Sequence, residues 1–245
     1  LIEILKNFSL KEVLEIEERF DEQFKALKYL YDNLISKNHF CVLVLLNALI
    51  SYQLSGTGEQ YWWEFSKYFA QVKEISNPVD ALVDFLRNSK FNMRLINQKV
   101  SRLRKLRYII NIIYNESSYY ANAPVLLQHK IAKTLNTSAD AKTVVFAIKM
   151  FNYACRIMFN RDYILPFEIS IPVDIRIRRI SERLGVSINI VGFWNEIAKI
   201  VNIPPLHLDS LLWITLGLIR RKTEIKNSKL NRLARFLKKL VFNAE

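Results

Sequence analysis

The sequence predicts an all-α protein on three observations. Apolar residues recur at three- and four-residue spacing from one end to the other, alternating runs are few, and glycine is scarce, at five in 245 residues. A chain of this length buries a sizeable core and suits one domain or two closely packed lobes. Although 51% of the residues are apolar, no stretch supplies the ~18 uninterrupted apolar residues that a membrane span needs, and the N-terminus lacks a signal-peptide pattern. A soluble, intracellular protein with no membrane association is therefore expected.

The elements follow in order. Ser9 stands three residues before Glu12, a capping box that opens a helical stretch from 9 to 35 with a break near Asp21, so that Gln23 belongs to its second part. Residues 39–54 are apolar nearly all round and predict a central buried helix ended by SGTG at 55–58. The aromatic helix 59–72 places Trp62, Phe65 and Phe69 along one side and Trp63 elsewhere. Asn77-Pro78 starts another helix, and residues 97–115 form one that carries Lys99, Arg102, Arg104, Lys105 and Arg107. Such a basic helix reads as a solvated face or as a contact for a DNA backbone.

Residues 115–123 (NESSYYANA) read as a polar turn, and Pro124 as the first residue of a helix to 135. The link NTSADAKT then makes a helix–helix hairpin whose second helix is expected to begin at about Asp140. Its amides and the nearby Lys133 and Lys142 would suit a phosphate, or simply form an ordinary connection. Residues 164–174 hold two prolines and no helical period, which predicts an extended connector delivering Asp174 to the head of a helix with four arginines (174–186). Helices at 189–202, 204–222 and 229–242 complete the chain.

Composition narrows the chemistry. A net charge of +13 favours a polyanionic partner, nucleic acid first, through counterion release. Cys41 and Cys155 are too few for a disulfide framework or a cluster and are expected in the core, while His39, His129 and His207 lack metal spacing. Neither a metal nor a cofactor is expected. Glycine-rich phosphate loops and the G-x-S-x-G elbow are absent from the sequence.

Amine chemistry is left, and it centres on ADAKTVVFAIKM at 139–150. Lys142, Phe146 and Lys149 fall at i, i+4 and i+7, two cations bracketing a ring on one face, while Val144, Val145, Ala147, Ile148 and Met150 fill the others. A lysine pressed into an apolar recess holds its proton less tightly and becomes a competent nucleophile toward a sugar carbon. Asp174, beyond Pro172, could cap its helix, face that lysine and stabilise positive charge developing on the sugar. The same two residues would serve equally as a buried structural ion pair, in a basic DNA-binding protein without catalysis. Asp209 and Trp213 are i and i+4 neighbours on the 204–222 helix.

The stretches AKTVVFAIKMFNYA, LPFEISIPVDIR, IPPLHLDSLLW, NALISY and GTGEQYWWEF resemble the archaeal 8-oxoguanine DNA glycosylase (AGOG) family, a divergent branch of the helix-hairpin-helix DNA glycosylases, over nearly the whole chain. The resemblance implies a helix-hairpin-helix glycosylase architecture of two helical lobes with an active cleft between them, a central lobe of about 45–135 and a second from 1–44 plus 136–245. It implies a bifunctional DNA N-glycosylase/AP lyase for base excision repair, acting as a monomer on double- or single-stranded DNA that carries 8-oxoguanine. By the same resemblance Lys142 is the nucleophile forming a Schiff base and Asp174 the assisting carboxylate. Phe146 and Trp213 sandwich the flipped base, Gln23 binds its edge, and Trp62, Lys149 and Asp209 are further pocket positions. The oxidised base differs from guanine by an added acceptor oxygen at C8 and a donor at N7, which an amide and a carboxylate can read. The hairpin NTSADA lacks the glycines of the broader superfamily, as AGOG-type sequences do.

Overall fold

The computed structural model describes residues 1–242 and is all-α, with fourteen helices, one short 3-10 turn and no strand among the described residues. The helices are α1 (Ile2–Leu5), α2 (Leu10–Phe20), α3 (Glu22–Asn33), α4 (Phe40–Ile50), α5 (Gly58–Phe69), α6 (Pro78–Asn88), α7 (Ile96–Lys105) and α8 (Arg107–Asn122). They continue as α9 (Pro124–Leu135), α10 (Lys142–Phe159), α11 (Ile175–Arg183), α12 (Ile190–Val201), α13 (Pro205–Arg220) and α14 (Ser228–Phe242).

Starts follow the expected chemistry. Ser9 and Glu12 form a reciprocal capping box on α2, Thr57 and Gln60 form another on α5, Asn77 caps α6 ahead of Pro78, and Asp174 caps α11. Several boundaries differ from the sequence reading; α4, for one, ends at Ile50 instead of 54. Helix 97–115 is divided at Leu106 into α7 and α8, and α8 then runs through the segment read as a polar turn to Asn122, with a kink at Glu116. Ile113, Ser117, Tyr120 and Ala121 are buried along it, so the tertiary packing of that face outweighs the polar local composition.

The chain divides into two compact units. One, the terminal unit, comprises residues 1–21 and 165–245, and the other, the central unit, residues 22–164. The expected lobe boundaries at 45 and 135 are thus displaced: α3, the start of α4 and α10 all belong to the central unit. The reason is packing, since α10 lies along α4, all eleven residues of which are buried, and α3 packs on α5. Trp62, Phe65, Phe69 and Phe85 fill the same core, whereas Trp63 points away and donates from Nε1 to Glu22 at 3.2 Å. Gly56 allows the turn before α5 to press on Phe91, whose ring leaves only 2.5 Å for any added Cβ.

In the terminal unit α13 packs on α2 and α14, and Val13, Ile16, Leu208, Leu212 and Leu233 from these helices join Trp194 in one interior. Trp194 Nε1 donates to Ser181 Oγ at 2.9 Å, which satisfies its buried polar edge. His207 and Glu17 meet in the same interior at 2.9 Å. His207 Nε2 accepts the backbone N–H of Leu165 at 3.1 Å, so the proton sits on Nδ1 and is donated to the Glu17 carboxylate. The connector 164–174, irregular as expected, is anchored at Leu165 through that ring.

Candidate active site

Lys142 is the first residue of α10, with Ala141 as N-cap and no side-chain cap, two residues later than the expected start. Its side chain is exposed, which corrects the expectation of an apolar recess: the buried run begins only at Val144, one residue past the first exposed turn. A lysine at this position projects from the head of the helix rather than onto its packed faces.

Behind it the helix is dry. Phe146 is partly buried and meets the buried Trp62 edge to face, with ring centroids 6.3 Å apart, so the central unit brings these two predicted pocket residues together. Lys149 is buried at 3% exposure, with its Nζ 5.7 Å from the centre of the Tyr153 ring. Gln23, also 3% exposed, lies on the inward side of α3, beside Phe24, whose ring meets Tyr153 at 5.1 Å. Lys149 and Gln23 are therefore interior groups, placed on two helices that pack on one another.

The hairpin between α9 and α10 consumes most of its own amides. Asn136 adopts a left-handed conformation, the N–H of Thr137 donates to Ala132 O, that of Ala141 to Ser138 O, and that of Asp140 to Ser138 Oγ. Gln128 pins the turn by donating to Ala139 O at 2.9 Å. The loop amides are thus turned inward, while the first amides of α10 carry no side-chain cap. The cations lie instead on α7, where a cavity of about 580 Å³ is lined by Tyr52, Ser101, Arg102, Lys105, Asn136 and Thr137. Arg102 donates to Thr143 Oγ1 at 2.8 Å, tying α7 to the first turn of α10 next to Lys142.

Lys99, read as part of a solvated face, is fully buried under Tyr52 and donates to Asn92 Oδ1, and burial holds its ammonium down at about 8. The helical period alone could have shown that Lys99 shares a side with the buried Leu103, four residues on.

In the terminal unit Asp174 combines two roles. Its Oδ1 accepts from the backbone N–H groups of Arg176 and Ile177, both at 2.9 Å, and its Oδ2 accepts from Arg176 Nε at 2.8 Å and from Arg176 Nη2. Arg176 then lies over Trp213, its central carbon 3.2 Å from the ring centre. Asp209 and Trp213 are partly exposed one turn apart on α13, on a stripe continued by Gly217 and flanked by fully buried residues. Arg176 is the one residue of this constellation that sequence reasoning did not single out; its place two residues after an N-cap aspartate was the available signal.

Comparison with known proteins shows the family. The AGOG family profile, described as N-glycosylase/DNA lyase, matches residues 2–245. An N-glycosylase/DNA lyase of Thermococcus kodakarensis is 44% identical over 219 residues, covering 89% of this chain and 83% of its own. One from Methanococcus maripaludis is 39% identical over 245 residues, covering 98% and 95%. The crystal structure of an 8-oxoguanine DNA glycosylase of Pyrobaculum aerophilum, Pa-AGOG, complexed with 8-oxoguanosine, superposes with a TM-score of 0.81 at 28% identity, covering 96% of this chain and 94% of that one. On the family match across residues 2–245 and these relatives, the chain belongs to the AGOG family of N-glycosylase/DNA lyases.

Proposed function

We propose that this DNA glycosylase/lyase excises 8-oxoguanine, with Lys142 as its nucleophile and Asp174 as the assisting carboxylate. What carries the reading is the state of these two side chains: an exposed amine at the head of a buried helix, and a carboxylate with one oxygen fixed by two backbone amides. In this reading the neutral Lys142 amine attacks C1′, and the C1′–N9 bond breaks with its electron pair leaving on the base, which takes up a proton. The nitrogen, having given one proton to the base, pushes its lone pair onto C1′ and expels O4′, which takes up a proton as the ring opens, leaving a protonated imine, C1′=NζH⁺, that acidifies C2′. Loss of a C2′ proton expels the 3′ phosphate by β-elimination, the lyase step. The DNA itself, laid over the exposed amine, supplies the exclusion of water that the protein surface does not.

Asp174 stabilises the positive charge that builds on the sugar as the base departs and passes protons between the reacting groups. Phe146 and Trp213 receive the faces of the flipped base, a contact of about 1–3 kcal/mol per base, and Gln23, Trp62, Lys149 and Asp209 line its pocket. The buried amide of Gln23 reads the edge, and a group left unpaired by plain guanine is the basis of rejection. The protein acts as a monomer on double- or single-stranded DNA. Arg104 and Lys105, the exposed cations of α7, make the backbone contact, and no metal or cofactor enters the reaction.

The test is excision from a duplex with one 8-oxoguanine. Asp174→Asn retains a good N-cap while removing the charge, so α11 stays formed. Release of base should slow by about 100-fold with DNA affinity within about threefold of wild type; a variant that loses affinity alone contradicts the assignment.

A further inference from the structure

We propose that Arg176 is a placeholder for the base: it occupies the face of Trp213 on which the flipped purine stacks, and it leaves that face when the base arrives. The proposal rests on the reading of Trp213 as a stacking residue and goes beyond it. The observation is that one guanidinium makes two kinds of contact at once. Its central carbon lies 3.2 Å from the centre of the Trp213 ring, the separation of stacked planes, and its Nε and Nη2 both donate to Asp174 Oδ2. A flat cation on an indole is a close physical mimic of a flat purine, and both cannot use the same face.

The two contacts are mechanically joined because they belong to one rigid, planar group. When Arg176 rotates off Trp213 it also withdraws from Asp174 Oδ2, whereas Oδ1 stays held by the backbone N–H groups of Arg176 and Ile177. Base arrival therefore releases one oxygen of the assisting carboxylate, while the other keeps the residue in place. A base that stacks poorly does not displace the guanidinium and leaves Asp174 paired. Arg176 is in this sense a positioning residue that ties occupancy of the pocket to the readiness of the carboxylate.

Arg176→Ala removes the guanidinium and leaves the α11 cap, which uses only the Asp174 side chain and backbone amides. Calorimetric titration with the free 8-oxoguanine nucleoside, which carries no phosphate, is the measurement. Arg176→Ala is expected to bind it about fivefold more tightly than wild type, since no cation has to be displaced from the ring. Damage to structure would weaken binding, so a gain in affinity is specific to displacement. Arg176→Lys, which keeps the charge and loses the plane, should fall between the two. Trp213→Ala in an otherwise unchanged enzyme must weaken nucleoside binding. If it does, and Arg176→Ala binds no more tightly than wild type, the placeholder role is wrong while the stacking role stands. If Trp213→Ala leaves binding unchanged, both are wrong.

Discussion

His207 and Glu17 are joined by a 2.9 Å hydrogen bond in an interior that exposes neither side chain, although 190 residues separate them in sequence. The bond links α13, which carries Asp209 and Trp213, to α2, and through Nε2 it holds the backbone of Leu165 where the connector toward Asp174 begins. Removing one partner leaves a buried polar group or charge uncompensated, which costs far more than an exposed pair does. His207→Ala should lower unfolding stability by about 3 kcal/mol, seen as a reduced denaturant midpoint. A change under about 1 kcal/mol would show that the ring is not what fastens these segments.

Glu12 closes the terminal unit in a second way. It caps α2 with Ser9 and meets Lys229 of α14 at 2.5 Å, and the hydrogen bond from that lysine, followed by the Ser9 amide, holds its carboxyl at about 2 instead of 4.5. The folded protein thus binds fewer protons than the unfolded chain between those two values. The stability contributed by Glu12 is complete above about 4.5 and disappears as pH falls toward 2. Melting curves of wild type and Glu12→Gln should differ at pH 7 and converge by pH 2; curves that stay equally separated across that range contradict the assignment.

At Lys99 burial opposes the charged form instead of favouring it, yet the slope with pH has the same sign as for Glu12. Burial lowers its ammonium from 10.5 to about 8, so between those values the unfolded chain holds a proton that the folded one has released. Stability therefore rises with pH through that window. The melting temperature of wild type relative to Lys99→Met should climb from pH 8 to pH 10.5, and a flat difference would place the amine in water.

On α10, Phe146 is partly exposed and touches Trp62 with a ring edge, whereas its neighbours Val145 and Ala147 are buried. Phe146→Ala should weaken binding of the free 8-oxoguanine nucleoside about tenfold while lowering the melting temperature by only a few degrees. Equal affinity for the nucleoside would remove this ring from the pocket.

Much of this was legible without coordinates, for reasons that are local. Caps at Ser9 and Asn77, the break at Asp21 and the hairpin following Pro124–Leu135 are written in residues that bond within four positions of one another, whereas the Thr57 cap of α5 went unread inside SGTG. What was missed is non-local. Residues 115–123 look polar, yet Ser117 and Tyr120 are buried by packing that the segment itself does not encode. Lys142 was expected in a recess because five apolar residues follow it, but the first residue of a helix points away from the face those residues bury. The Lys99–Asn92 bond spans only seven residues, but its burial depends on Tyr52, more than forty positions earlier. The stacking of Arg176 on Trp213 joins positions 37 apart in sequence (213 − 176), which no spacing rule anticipates.

The most direct measurement of the central claim is borohydride trapping on a duplex that contains one 8-oxoguanine. Hydride reduces the C1′=Nζ imine to a stable amine and so links enzyme to DNA. Wild type is expected to give a covalent complex whose cross-linked peptide contains Lys142, and Lys142→Gln to give none. A full yield of complex from Lys142→Gln would contradict the account.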